Sequence, residues 1–283
     1  MSQVLLYDIP GPRARARHRI YAVLGGLFVL AVLAAAGWKL WDAGAITGET
    51  WTFLNEPLIV EDLLGGLVRT FEAAALAIGL AIVFGAVFAA GRLSGHSVIR
   101  WPSTLVVQFF RATPVLLLIL FLFFAYGSTL GAFGALVVAL TLYNGSVLAE
   151  IFRAGLLAVP HGQSEAAYAV GLRKLQVTTL ILAPQAVRTM LPAIISQCVV
   201  ALKDTALGYV IGSGEIVYEA KQIFRSPLYN NPIPVAITLA VIFIIINYSL
   251  SKLAQYLERR LSRRGEKAVD AAAYESGMGG AVA

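Results

Sequence analysis

Residues 112–149 read ATPVLLLILFLFFAYGSTLGAFGALVVALTLYNGSVLA, 38 residues without one charged side chain. A bilayer's hydrocarbon core, about 30 Å thick, is crossed by about 20 helical residues. The stretch is too long for one crossing and too apolar for water. It breaks most naturally at Tyr126-Gly127-Ser128-Thr129 and on through Gly131 and Gly134, where glycines and small polar residues loosen a helix. The expectation is a helical hairpin, two crossings that start near Pro102 and end before Glu150.

The other apolar runs extend the count outward from this hairpin. Residues 20–38 (IYAVLGGLFVLAVLAAAGW) fit one span, and 73–91 (AAALAIGLAIVFGAVFAAG), extended outward past Arg69 and Glu72, fit another. Residues 186–213 make a further span, interrupted by Lys203 and Asp204. The uncharged run from Leu228 to Ser251 makes the last, with Pro232 and Pro234 in its first turns, where a missing N–H costs least. The composition agrees: of 283 residues 58% are hydrophobic and 13% charged, and the mean hydropathy is +0.76. Ordinary globular domains carry about 25% charged residues. The expected class is an all-α integral membrane protein with six transmembrane helices. A single cysteine, Cys198, excludes a disulfide scaffold and reads as a small buried hydrophobe.

Lysine and arginine set the expected orientation. One side holds Arg13 to Arg19 in the basic N-terminus 1–19, the loops 92–103 and 150–188, and the tail, 16 basic residues in all. The other side holds three, Lys39, Lys221 and Arg225, beside an acidic 39–66 loop. Both termini are therefore expected on the cytoplasmic side of the membrane. The net charge of +6 expresses this bias, with no nucleic-acid role implied. Residues 13–38 also have the look of a signal peptide, but their apolar run exceeds the usual length, so a retained span is preferred. Cleavage would leave five spans in the same orientation. The chain divides into four segments: 1–19, a first helix and outer loop at 20–66, a five-helix core at 67–254, and a tail at 255–283. The end of that tail, 271–283 (AAAYESGMGGAVA), is expected to be disordered.

The loop between spans four and five is more than a polar connector. It runs Ala149-Glu150-Ile151-Phe152-Arg153-Ala154-Gly155, then Val159-Pro160-His161-Gly162-Gln163, then Glu165-Ala166-Ala167, with Gly171, Ile181, Ala183 and Pro184 beyond. Pro160 and Gly162 end the preceding element, Ser164 can cap a short helix, and Gly171 can join that helix to a second one. Small residues at 166, 167 and 169 give the first helix a low profile, and Leu172, Leu175, Leu180 and Ile181 can lie against the base of the bundle. A thin, rigid helix projecting from a membrane domain suits insertion into a groove of another protein.

This loop closely resembles the EAA motif of ATP-binding-cassette importer permeases: E-A-A, three residues, G, nine residues, I, one residue, L-P, with Ala183 standing here where the pattern has leucine. Further stretches are similar to polar amino-acid permeases of that class: Gln108-Phe109-Phe110-Arg111-Ala112-Thr113-Pro114, the Ala149–Gly155 run, and Leu202-Lys203-Asp204-Thr205-Ala206-Leu207. The opening Leu6-Tyr7-Asp8-Ile9-Pro10-Gly11-Pro12, the run Thr141–Val147 and the extra first span look most like actinobacterial glutamate permeases. The resemblance implies a five-helix type I permease core behind an added N-terminal helix. It also implies a coupling helix at about 162–171 inside a coupling loop 162–184, with Glu165, Ala166, Ala167, Gly171, Ile181 and Pro184 facing a cytoplasmic ATP-binding subunit. Two such subunits would hold ATP and magnesium, and this chain would hold no cofactor. An extracellular solute-binding protein would deliver the substrate, and a second permease would complete the pore as a homodimer or heterodimer.

Charges at membrane depth are costly and need a reason. Lys203 and Asp204 together match the carboxylate and ammonium of an amino acid, but neighbours on a regular helix point about 100° apart. Both face one ligand only if the helix breaks, which Gly208, Gly212 and Gly214 permit. The alternative is a pair that stabilises a subunit interface. Thr205, Asn144 and Gln197 join them as candidate pathway residues, though Asn144 and Gln197 read first as helix–helix hydrogen bonders. Arg111 reads as a snorkelling or interface arginine, and Glu150 with Arg153 as a local ion pair. The four-residue spacings Ala75/Gly79 and Ala81/Gly85 suggest close helix packing. No G-x-x-x-x-G-K-[ST] loop occurs, so the chain is not itself the ATPase. His18, His96 and His161 lack ligand spacing, so no metal site is expected, and no catalytic constellation can be read. An ion-gradient-driven amino-acid transporter or channel is the rival reading. It leaves the Glu165–Pro184 loop without a task, as does a purely structural membrane subunit.

Overall fold

The computed structural model describes residues 11–226 and 232–279, with their side chains except those of Pro12, Ala254 and residues 257–279. Among the described residues all regular structure is helical. The helices are α1 (Pro12–Asp42), α2 (Pro57–Arg92), α3 (Ser97–Ala112), α4 (Val115–Leu157), α5 (His161–Ala169), α6 (Lys174–Gln176), α7 (Ala183–Asp204), α8 (Ile216–Arg225) and α9 (Pro232–Gly279). Five stretches are long and apolar enough to cross a membrane: α1, α2, α4, the run from Lys174 to Val210, and the part of α9 up to Leu253.

The expected hairpin is present inside α4. Gly131 sits at φ 66° and ψ 175°, a conformation open essentially to glycine, and there the helix doubles back. Leu122 and Leu140, equally spaced before and after Gly131, meet in one buried cluster with Leu118, Ile119, Leu136 and Ala77. One stretch thus supplies two arms, and with the hairpin counted as two the five apolar stretches agree with about six spans. The first arm is prolonged backwards by α3, which runs antiparallel to α2: Phe110 meets the Phe84 ring edge-on at 6.5 Å, while a side chain at Gly91 would strike Ser103.

The core is organised around α2. Ala73, Ala77, Ala81, Gly85 and Ala89 are buried at four-residue intervals and form one seam against the second arm of α4. A Cβ at Gly85 would lie 2.9 Å from Leu148 Cβ, and one at Gly145 would lie 2.8 Å from Phe84 Cδ1, so the backbones approach as closely as glycine allows. The packing signal was correctly placed for Ala81 and Gly85. Ala75 and Gly79, however, are exposed on another face of α2. The periodicity was right and the register at that end was not, because a run of alanines offers the same spacing on two faces.

The end of the bundle from which α5 projects is termed the loop end, and the other the far end. At the far end, α8 was not foreseen. It is a short amphipathic helix that buries Ile216, Ala220 and Ile223 against Phe53, Leu63 and Val235. The chain enters it through Gly212 (φ 72°) and Gly214 (φ 73°). Glu215 caps it, its carboxylate accepting the N–H groups of Val217 at 2.7 Å and Tyr218 at 2.9 Å. The Ile216 N–H donates to Thr70 Oγ1 at 3.2 Å, and a Cβ at Gly66 would lie 2.9 Å from the Ile216 backbone, so α8 is seated directly on α2.

α9 carries Pro232 and Pro234 in its first turn as expected, while the foreseen start at Leu228 lies outside the described residues. Its backbone stays helical to Gly279, so the tail residues 271–279 expected to be disordered are helical instead. α1 has none of its apolar window buried within the chain and stands apart from the core.

Candidate functional site

The projecting loop is built by local chemistry. α5 starts at His161 behind Pro160, one turn earlier than a Ser164 cap would require; Ser164 Oγ instead donates to the His161 carbonyl at 2.8 Å inside the first turn. The helix stops at Gly171, whose φ of +85° is left-handed. There the Leu172 N–H donates to the Ala167 carbonyl at 3.2 Å and the Gly171 N–H to the Tyr168 carbonyl at 2.9 Å, the paired bonds of a Schellman turn. This is the physical demand for glycine four residues beyond Ala167. The second short helix expected after Gly171 is present as α6, which runs on through a π-helical turn, Val177–Leu182, straight into α7.

Ala167 faces inward and is buried, whereas Glu165, Ala166, Tyr168 and Val170 are exposed. Ile181 is half-buried in the π turn and Pro184 is exposed at the start of α7. Leu172 and Ile181 do reach the base, but Leu175 and Leu180 are largely exposed. Gln185 Nε2 braces the loop, donating to the Ile181 carbonyl at 2.9 Å and lying 3.4 Å from Gln163 Oε1 on α5.

Behind the loop, Glu150 gathers more than the local pair expected of it. Its Oε1 accepts from Arg153 Nε at 3.2 Å and Nη2 at 2.5 Å, its Oε2 accepts from Arg92 at the end of α2, and Arg111 Nη1 of α3 lies 3.6 Å away. One carboxylate thereby joins α2, α3 and α4. The i, i+3 spacing announced Arg153; nothing local announces Arg92, which lies 58 positions away.

In mid-bundle Gln197 Nε2 donates to Asn144 Oδ1 at 2.6 Å, and Asn144 Nδ2 donates to the Leu140 carbonyl at 3.0 Å. The two polar residues thus link α7 to α4 by a hydrogen bond, the first of the two readings open to them. Cys198 is half-buried and lines an apolar groove between α2, α7 and α9. Further toward the far end, α7 closes with Lys203, which is exposed, and Asp204, which is half-buried. The chain then tightens into a 3-10 turn, Thr205–Val210, so the expected helix break follows the charged pair directly. Thr205 is fully buried, with its hydroxyl donating to the Leu202 carbonyl at 2.6 Å. An exposed ammonium within a membrane span requires water or another protein beside it.

The described chain is thus a multi-pass α-helical bundle with a braced, exposed helix at one end and hydrogen-bonded polar groups in its interior. Residues 81–263 match the family described as binding-protein-dependent transport system inner membrane component, and the chain belongs to that family. It is the membrane permease component of such a system and is not itself the ATP-hydrolysing enzyme. Among its relatives are the glutamate transport system permease protein GluD of Corynebacterium glutamicum, 42% identical over 77% of this chain and 82% of that one. Another is the probable glutamine ABC transporter permease protein GlnP of Bacillus subtilis, 36% identical over 70% of this chain and 93% of that one. Among solved structures, a chain from an amino acid ABC transporter crystallised with histidines is 29% identical with a TM-score of 0.67, covering 74% of this chain and 98% of that one. A chain of the MetNI methionine ABC transporter shares the fold at 21% identity and a TM-score of 0.59, covering 72% of this chain and 96% of that one.

Proposed function

We propose that this permease imports a polar amino acid, glutamate, with ATP hydrolysed by separate subunits. The observation that carries the reading is the α5 loop. It is a rigid post, braced by Gln185 and closed by Gly171, whose Glu165, Ala166 and Tyr168 find no packing partner within the bundle. A groove on a cytoplasmic ATP-binding subunit supplies that partner. Two such subunits bind ATP and magnesium and drive two permease chains, either two copies of this one or this chain with a relative. An extracellular solute-binding protein delivers the amino acid at the far end. The distribution of basic residues, 16 against three, supports a cytoplasmic loop end with both termini on that side of the plasma membrane.

Glutamate is supported by the relationship to GluD and by the charged pair. Lys203 and Asp204 stand where α7 gives way to the 3-10 turn and meet the carboxylates and ammonium of the substrate. Gln197 forms the next polar layer inward, Asn144 fixes its orientation, and Thr205 anchors the backbone at the break. The test is uptake of radiolabelled L-glutamate by cells that carry this permease with its partner subunits. Lys203→Ala is expected to abolish uptake while the complex still assembles; normal uptake refutes the site. Wild-type uptake that survives ATP depletion and collapses with an ionophore refutes the ATP-driven reading.

A further inference from the structure

We propose that the α2–α3 junction, residues 91–93, is where movement of the projecting loop enters the rest of the bundle, with Lys174 and Arg92 as positioning residues for energy coupling. The inference rests on the transport reading given above. The loop has two covalent routes into the membrane domain, the second arm of α4 before it and α6–α7 after it. Each route grips the end of α2. From before the loop, Glu150 holds Arg92, the last residue of α2, whose side chain is 8% exposed. From after the loop, Lys174 Nζ reaches the Leu93 carbonyl at 3.4 Å. Leu93 caps α2, and an ammonium on that carbonyl opposes the negative end of the helix dipole. The residue before the pair is equally constrained: Gly91 lies beneath α3, with Ser103 Cβ at 3.0 Å from where a side chain would begin.

Three consecutive residues are thus held by three different neighbours. The turn between α2 and α3 is tied to both of the loop's flanks, so a shift of the loop bears on it from both sides. α2 is 36 residues long and closely packed along its small-residue seam, so it behaves as a rod of about 54 Å. Its opposite portion carries the seat of α8 at Gly66 and Thr70. A push at Arg92 and Leu93 is therefore delivered to the far end, where α8 and the 3-10 turn after Asp204 lie against each other through Lys221 above the Tyr209 ring at 5.0 Å.

The test uses the intact complex with its ATP-binding subunits and solute-binding protein, reconstituted in liposomes. L-Glutamate uptake and ATP hydrolysis are measured together. Lys174→Met keeps the reach of the side chain and removes its ammonium; Lys174→Arg keeps a donor. Lys174→Met is expected to lower the amino acid taken up per ATP hydrolysed by about fivefold, and Lys174→Arg to restore it. Arg92→Lys, which keeps the charge but gives up the guanidinium contact of Nη1 with Glu150 Oε2, is expected to lower the ratio in the same direction. A wild-type ratio in Lys174→Met overturns the proposal. So does loss of the ATP-binding subunits from that variant, which would place Lys174 in docking rather than transmission. Absence of ATP-driven uptake by the wild-type complex overturns the transport reading instead.

Discussion

The seat of α8 is expected to loosen as pH rises, and Glu215 is the residue that makes it so. The residue is only 1% exposed, and its carboxyl is pushed up to about 7 from the ordinary 4.5. Burial is the main cause; the N–H groups of Val217 and Tyr218 pull in the opposite direction, and the nearby charge of Glu219 adds to the rise. The seated helix therefore binds the proton more tightly than an unseated one. That contribution to seating is complete below pH 4.5 and is lost as pH rises through about 7. Across the interval, at about 1.4 kcal/mol per pH unit, it amounts to about 3 kcal/mol. About 2.5 kcal/mol of it falls between pH 5 and pH 8, a change of about seventyfold in the opening constant of α8. Amide hydrogen exchange over residues 212–225, corrected for the intrinsic pH dependence, reads that constant directly. Glu219 titrates upward too, through burial and the charge of Asp62, with Arg69 opposing. For that reason the comparison is with Glu215→Gln, which keeps Glu219, Asp62 and Arg69 in place. The wild type should open about seventyfold more at pH 8 than at pH 5, relative to the variant. Equal pH dependence in the two proteins would refute the reasoning.

Two further outcomes rest on geometry alone. Gln197→Leu leaves the buried Asn144 Oδ1 without its partner and should cost about 1–3 kcal/mol of thermal stability in detergent, whereas Asn144→Leu combined with Gln197→Leu should recover part of that loss; additive losses would contradict the pairing. Gly131→Ala forces a side chain into a conformation at φ 66° and should cost about 1–3 kcal/mol, visible as lower yield and melting temperature, while Gly79→Ala, whose φ is not positive and where a side chain would meet nothing within 4 Å, serves as the tolerated control.

The crossings were legible because the bilayer imposes a length and a polarity that the uncharged runs meet, and the hairpin because Gly131 interrupts a stretch too long for one span. The loop was legible for a local reason, since a Schellman turn needs glycine at a fixed distance from the helix it ends. What escaped was non-local. Arg92 and Glu150 are joined by the parallel packing of α2 and the second arm of α4, which no spacing in either helix encodes. α8 escaped for a different reason. Its three buried residues recur at helical spacing after a capping Glu215, but a ten-residue amphipathic segment carries too little hydropathy to register among membrane spans. The polar residues Asn144 and Gln197 were each noticed; that they satisfy each other depends on the crossing of α4 and α7.

The isolation of α1 has a consequence for biogenesis. A helix with no buried face inside its own chain gains nothing from waiting for later segments, so it can leave the translocon as soon as it is made. Its four leading arginines would hold the N-terminus on the ribosome side. It would also set parity: six crossings, α1 among them, would place the chain's ends on one side, and five would place them on opposite sides. Deleting residues 1–42 would export the new N-terminus while the arginines at 153, 173 and 188 keep the loop end where it was. Removal of the first helix would leave the buried core of the bundle that comes after it unchanged.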